Sequence, residues 1–116
     1  MAYDEGLAER VRKALARRRG VSERKMFGGL AFLRAGSMLC GVLGDELMVR
    51  VGPERHDQAL RRSGARPMDF TGRPMKGYVF VGPAGYRSPT ALARWVEAAL
   101  QFVATLPSKP GAPRKR

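Results

Sequence analysis

A glycine-punctuated apolar stretch over residues 25–52 constrains the fold of this chain more than any other feature. It contains three short apolar segments, near residues 24–33, 38–43 and 46–51, and turn residues separate them. Short apolar segments joined by tight turns are typical of an antiparallel meander. The stretch therefore predicts three consecutive strands.

The third segment indicates how the two faces of this sheet differ. Leu47, Val49 and Val51 alternate with Met48 and Arg50. Because successive side chains of a strand point to opposite faces, the first three residues share one face and Arg50 lies on the other. We expect helices to cover the Leu47 face and to leave Arg50 on the open face.

Three helices are predicted around the meander, over residues 4–19, 53–62 and 89–106. Asp4 and Ser88 are helix-capping residues, and Pro53 and Pro89 suit a first helical turn. The last helix carries a continuous apolar stripe in which the single tryptophan, Trp95, is the expected packing anchor.

The segment between the second and third helices is less regular. Residues 65–77 hold two prolines and two glycines, which predicts a loop with a short extended piece around Met68–Phe70. A strand is predicted over Tyr78–Val81. The element order is then α-β-β-β-α-β-β-α, and the fold class is α+β, a two-layer sandwich with helices on one side of an antiparallel sheet.

One folded domain over residues 1–106 and a disordered basic tail over residues 107–116 account for the whole length. The chain has 22 Lys+Arg against 10 Asp+Glu, a net charge of +12. Such an excess favours polyanionic partners, chiefly nucleic acid, although a solubilising surface explains it equally well. No signal peptide or membrane-spanning run is present in the sequence, which predicts a cytoplasmic protein without membrane partners.

The residues for catalysis or metal binding are sparse. Cys40 is the single cysteine and His56 the single histidine, so neither a disulfide nor a zinc site built from Cys and His alone is available within the chain. We expect Cys40 to be a small buried hydrophobe and His56 to be partly buried. The sequence thus predicts that the protein is not an enzyme and that it binds no cofactor, metal or small-molecule substrate.

Several segments together resemble the TfoX N-terminal domain family, the front half of the TfoX/Sxy bacterial competence regulators. They are the leading helix, Arg24–Gly29 with Leu30–Phe32, Gly36 with Met38, Leu47–Arg50, Arg73–Tyr78 and the closing helix with Trp95. The resemblance covers roughly residues 3–106. It implies the same two-layer fold and a non-enzymatic regulatory or protein-interaction role.

Basic and aromatic residues near strand starts and in the long loop, together with Arg50 of the open face, form a candidate surface for a partner or a polyanion. These residues are Lys25, Arg50, Arg73, Lys76 and Tyr78. Tyr78 would stack and the cations would pair with phosphates, as in single-strand-binding surfaces. Two interpretations stay open: a surface for a protein partner or a second copy of the chain, and a weakly specific nucleic-acid-binding module that acts by electrostatics. A third is that the cations are simply solvated.

Overall fold

In a computed structural model, the protein is described over residues 3–26, 28–69 and 74–106. Six strands form one antiparallel sheet: β1 Val21–Met26, β2 Gly29–Arg34, β3 Ser37–Leu43, β4 Glu46–Arg50, β5 Ala65–Asp69 and β6 Pro74–Val81. Their spatial order is β1-β2-β3-β4-β6-β5. The helices are α1 Glu5–Leu15, α2 His56–Leu60, α3 Pro83–Tyr86 and α4 Pro89–Val103, and a 3-10 turn, Pro53–Arg55, leads into α2. The predicted α+β class is confirmed.

The first predicted strand is two strands. Residues 21–26 and 29–34 pair as a hairpin in which Met26 lies opposite Gly29. The prediction of one strand near residues 24–33 is wrong because it did not use the Gly28-Gly29 pair, which is itself a hairpin-turn signal. Phe27 lies outside the described residues.

The prediction of a loop over residues 65–77 is wrong for most of that segment. β5 covers Ala65–Asp69 and β6 begins at Pro74, so the hairpin between them replaces the loop. Pro67 misled the prediction, yet β5 is an edge strand, and an edge is where a sheet tolerates proline. Helix α3 was not predicted. Residues 70–73 and the predicted tail over residues 107–116 lie outside the described residues.

The main core lies between the helices and one face of the sheet, called here the inner face. It includes Leu7 and Val11 of α1, Leu47 and Val49 of β4, and Trp95 of α4. The predicted caps are confirmed: the Asp4 side chain accepts from the Leu7 amide and the Ser88 hydroxyl from the Ala91 amide. None of the described helices is long and apolar enough to cross a membrane.

The opposite face of the sheet, the outer face, carries its own apolar cluster. Met48, Met68 and Phe80 are buried there, and Met38, Leu43 and Tyr78 pack around them half-buried. All six residues come from strands, whereas the described helices contribute their buried apolar side chains to the inner cluster.

Candidate binding surfaces

Two of the five predicted surface residues meet on the outer face. Arg50 of β4 and Tyr78 of β6 are direct partners in the strand register. The Arg50 guanidinium carbon lies 5.6 Å from the centre of the Tyr78 ring and 5.2 Å from that of Phe102 in α4. Its Nη1 also donates to the Met38 carbonyl at 3.5 Å. Arg50 therefore joins the sheet to the end of α4.

The other three predicted residues are distributed differently. Lys76 is exposed on β6, two residues before Tyr78. Lys25 is exposed on β1, at the far edge of the sheet, and pairs with Leu30, whose side chain belongs to the inner cluster. Because paired residues share a face, Lys25 lies on the side of the sheet opposite Tyr78. Arg73 lies outside the described residues.

A second basic feature, the α2–α4 cleft, was missed by the sequence analysis. It has a volume of about 650 Å³. One wall of the cleft is α2 with its flanking residues and the other is α4. The polar side chains that line it are Arg55, Gln58, Arg62, Ser63 and Arg94. Its apolar lining is Val51, Ala59 and Ala98. The cleft thus places three guanidinium groups around one depression.

Arg62 is held in the cleft by the tryptophan beneath it. Its guanidinium carbon lies 3.7 Å from the centre of the Trp95 ring, a close cation–π stack. Partial burial, followed by the neighbouring positive charge of Arg94, lowers the pKa of Arg62. Arg62 and Arg94 therefore repel each other electrostatically across the cleft.

The cleft arginines differ from the arginines that are neutralised elsewhere. Arg12 pairs with Glu9 and Glu23, Arg18 pairs with Glu97, and Arg66 pairs with Glu46. Within the described ranges, none of the ion pairs involves a cleft arginine, and Arg55 donates instead to the neutral Gln101 side chain at 2.9 Å. The positive charge of the cleft is not compensated by an acid in its lining.

A sequence signal for the cleft did exist. Arg55 and Arg62 are seven residues apart, which is two helical turns and hence one side of a helix. The inward residues Ala59 and Leu60 predict only which side of this helix packs on the core, and the polar side carries the two arginines. Arg94 gives no signal by itself, since a polar residue beside the apolar stripe of α4 is expected on any amphipathic helix.

The two potentially reactive side chains are engaged in the fold. Cys40 is fully buried in β3, as predicted. His56 is 7 % exposed, and its Nδ1 accepts a hydrogen bond from the Gly77 amide at 3.0 Å. This bond ties the start of α2 to β6. No group of three or more His, Cys, Asp or Glu side chains suited to a metal ion occurs in the described part of the chain.

The Cys40 thiol is expected to resist modification in the folded protein. Burial raises its pKa from an ordinary value of 9.0 to about 12. The folded chain therefore keeps this proton over a pH range in which the unfolded chain loses it, so stability falls as pH rises between those two values. Labelling by a thiol reagent at pH 8 should be slow and should accelerate with urea in step with unfolding. Rapid stoichiometric labelling of the native protein would contradict this burial.

The fold and these surfaces define a two-layer α+β domain built around a six-stranded sheet, with an apolar outer face and an arginine-lined cleft on the helical side. The sequence profile of the TfoX N-terminal domain matches residues 13–103, most of the chain. The chain therefore belongs to the TfoX N-terminal domain family. No curated protein and no solved structure showed significant similarity to it.

Proposed function

We propose that this chain is a non-enzymatic regulatory domain that binds a protein partner through the outer face of its sheet. Membership of a family named for a competence regulator supports a regulatory role. The engagement of Cys40 and His56 in the fold supports binding rather than catalysis. The observation that carries the proposal is the apolar cluster on the outer face, whose half-buried members Met38, Leu43 and Tyr78 reach the surface.

The composition of the outer face is unusual for a sheet that has helices on one side. Such sheets commonly present polar side chains to water on the other side. Here Met48, Met68 and Phe80 are each less than 5 % exposed, and half-buried Met38 and Leu43 surround them. Methionine is flexible and polarizable, and it is common at surfaces that adapt to a partner.

Arginines frame this apolar cluster and indicate the chemistry of the partner. The Arg66 guanidinium carbon lies 4.8 Å from the centre of the Phe80 ring, and Arg50 covers Tyr78. Arg66 also makes a two-pronged pair with Glu46. A partner with an apolar centre and a carboxylate that reaches Arg50 complements this pattern, because a carboxylate matches the guanidinium fork, whereas the fork of Arg66 is already occupied by Glu46.

The β1 edge of the sheet is a weaker docking site than the face. Ser22, Glu23, Arg24 and Lys25 of edge strand β1 are all exposed. Charged side chains on an edge strand oppose the addition of a further strand. The face is therefore the better candidate, both for a protein partner and for a second copy of the chain.

Replacing Met38 or Leu43 with aspartate is expected to abolish partner binding. Each change places a carboxylate among apolar side chains at the border of the cluster, where desolvation costs free energy. The measurement is capture of a partner at physiological salt, followed by direct titration of the captured protein into each variant. We expect a loss of affinity of at least about tenfold.

Val21→Asp is the matched control, because Val21 is a half-buried apolar residue that packs on the inner cluster instead. Circular dichroism establishes that all three variants are folded, and light scattering gives the mass of the wild type. A dimer that Leu43→Asp dissociates would identify the partner as a second copy. Equal affinity of all variants, or no partner and a monomeric mass, would overturn the proposal.

Nucleic acid is a second candidate partner, supported by the net charge of +12 and by the uncompensated arginines of the cleft. Binding of this kind would use phosphate contacts and would weaken steeply as salt concentration rises. It would engage the helical side of the domain rather than the outer face. The two candidates therefore depend on different residues and can be separated by substitution.

A further inference from the structure

We propose that the α2–α4 cleft binds a small phosphate-bearing anion of nucleotide size. The site is separate from the outer face and does not depend on the partner proposed there. Its phosphate ligands are Arg55, Arg62 and Arg94.

The first argument is the geometry of the cleft. Arg55 and Arg62 flank α2 and form one wall, and Arg94 projects from α4 on the other. Ala59 and Ala98, one from each helix, leave space between the walls. The volume of about 650 Å³ is that of a small-molecule site, for which about 300–1,000 Å³ is typical.

The second argument is electrostatic. Three guanidinium groups share a cleft whose lining holds no acid. The charge of Arg94 contributes to the lowered pKa of Arg62, which means that the two cations repel each other there. An anion between them removes this repulsion. The planar fork of arginine also forms paired hydrogen bonds to phosphate oxygens, so the residue type fits the charge.

The apolar part of the lining limits the class of ligand further. Val51, Ala59 and Ala98 lie beside the arginines and offer contact to an apolar or planar group. A ligand that has phosphates at one end and a ring at the other uses both kinds of lining. Nucleotides have this structure, while inorganic polyphosphate would use the arginines alone.

A fluorescent reporter lies directly beneath one of the cleft arginines. Trp95 is the single tryptophan of the chain, and Arg62 stacks on its ring. The ring is 1 % exposed, so a ligand reaches it only by changing the position of Arg62. Binding of an anion to Arg62 should therefore change the fluorescence of Trp95.

The test is a titration of the full chain with ATP, and in parallel with sodium tripolyphosphate, at constant ionic strength near 0.15 M. Trp95 fluorescence and calorimetry both report binding. We expect a saturable change with ATP. Arg62→Gln and Arg94→Gln should each weaken binding by about tenfold or more, the effect of losing one charged hydrogen-bonding partner.

Arg24→Gln is the matched control, since Arg24 is an exposed arginine of β1 outside the cleft and its loss changes the net charge equally. It should bind ATP like the wild type. Arg94 is exposed, so its substitution leaves the packing of Trp95 intact and keeps the test valid if Arg62→Gln is unstable.

The remaining outcomes are decisive. Equal binding of ATP and tripolyphosphate would support the site and assign the affinity to phosphate. Tighter binding of ATP would add a role for the apolar lining. The proposal is overturned if no saturable signal appears, or if Arg24→Gln loses as much affinity as Arg94→Gln. A parallel titration with labelled duplex DNA adds one more outcome. If DNA binds but ATP and tripolyphosphate do not, and all three arginine variants weaken DNA binding equally, the charge acts as a diffuse surface and the proposal is overturned.

Discussion

Trp95→Ala is expected to lower the free energy of unfolding by about 3–5 kcal/mol, the range for removing a large aromatic side chain from a core. The Trp95 side chain is 1 % exposed and belongs to the inner cluster between α4 and the sheet. Its Nε1 donates to the Gly85 carbonyl at 3.1 Å, and Arg62 covers its ring. The substitution removes the packing, the hydrogen bond and the stack together.

Trp95→Phe separates these contributions. It keeps an aromatic ring in the core and removes the indole N–H, which leaves the Gly85 carbonyl without this donor. A loss of about 1–3 kcal/mol is expected for one unsatisfied group. Urea unfolding followed by far-ultraviolet circular dichroism measures both variants without relying on tryptophan emission. A loss below about 1 kcal/mol for Trp95→Ala would contradict its role as the anchor of α4.

The inward position of Trp95 on α4 was predictable from the sequence, because it depends on helical periodicity. Helix α4 has the capping serine, the proline and the apolar stripe that place Trp95 on its inner side. The acceptor of its N–H was not predictable. Gly85 lies in α3, a four-residue helix too short to show a period, and the approach of α3 to α4 is set by tertiary packing.

The binding surfaces likewise combine features that local sequence patterns predict with features that depend on tertiary structure. The alternation in β4 correctly placed Arg50 on the face opposite Leu47. Its pairing with Tyr78 depends on β4 lying beside β6, a choice of strand neighbour that local patterns do not contain. The prediction that Lys25 shares their surface is wrong, because β2 and β3 lie between β1 and β4 and the register turns Lys25 to the inner side.

The arginine cleft depends even more on tertiary structure. Arg62 and Arg94 are far apart in the sequence and meet only because α2 and α4 lie side by side over the inner core. The turn that follows Arg62 holds α2 in this position. There the backbone of Gly64 packs against that of Gly85, and the Gly82 amide donates to the Gly64 carbonyl at 2.9 Å. One junction thus connects the cleft wall, helix α3 and the Trp95 hydrogen bond.

Gly64→Ala should therefore destabilise the protein by about 2–5 kcal/mol, combining a left-handed backbone with overpacking. Gly64 has φ +80°, and a Cβ atom there would lie 2.6 Å from the Gly85 nitrogen and 2.8 Å from its Cα. Both obstacles are backbone atoms, so relief requires the turn and α3 to separate. That movement should also weaken the Trp95 hydrogen bond and shift the tryptophan emission.

Gly44→Ala isolates the conformational part of this cost. Gly44 has φ +59°, yet a Cβ atom there meets nothing within 4 Å, so only the left-handed backbone opposes alanine, at about 1–2 kcal/mol. Urea unfolding of both variants should show the larger loss for Gly64→Ala, together with a change in Trp95 emission that Gly44→Ala lacks. Equal losses with unchanged emission would mean that α3 yields freely to the added methyl group. The Gly64–Gly85 contact would then not be what fixes the wall of the cleft.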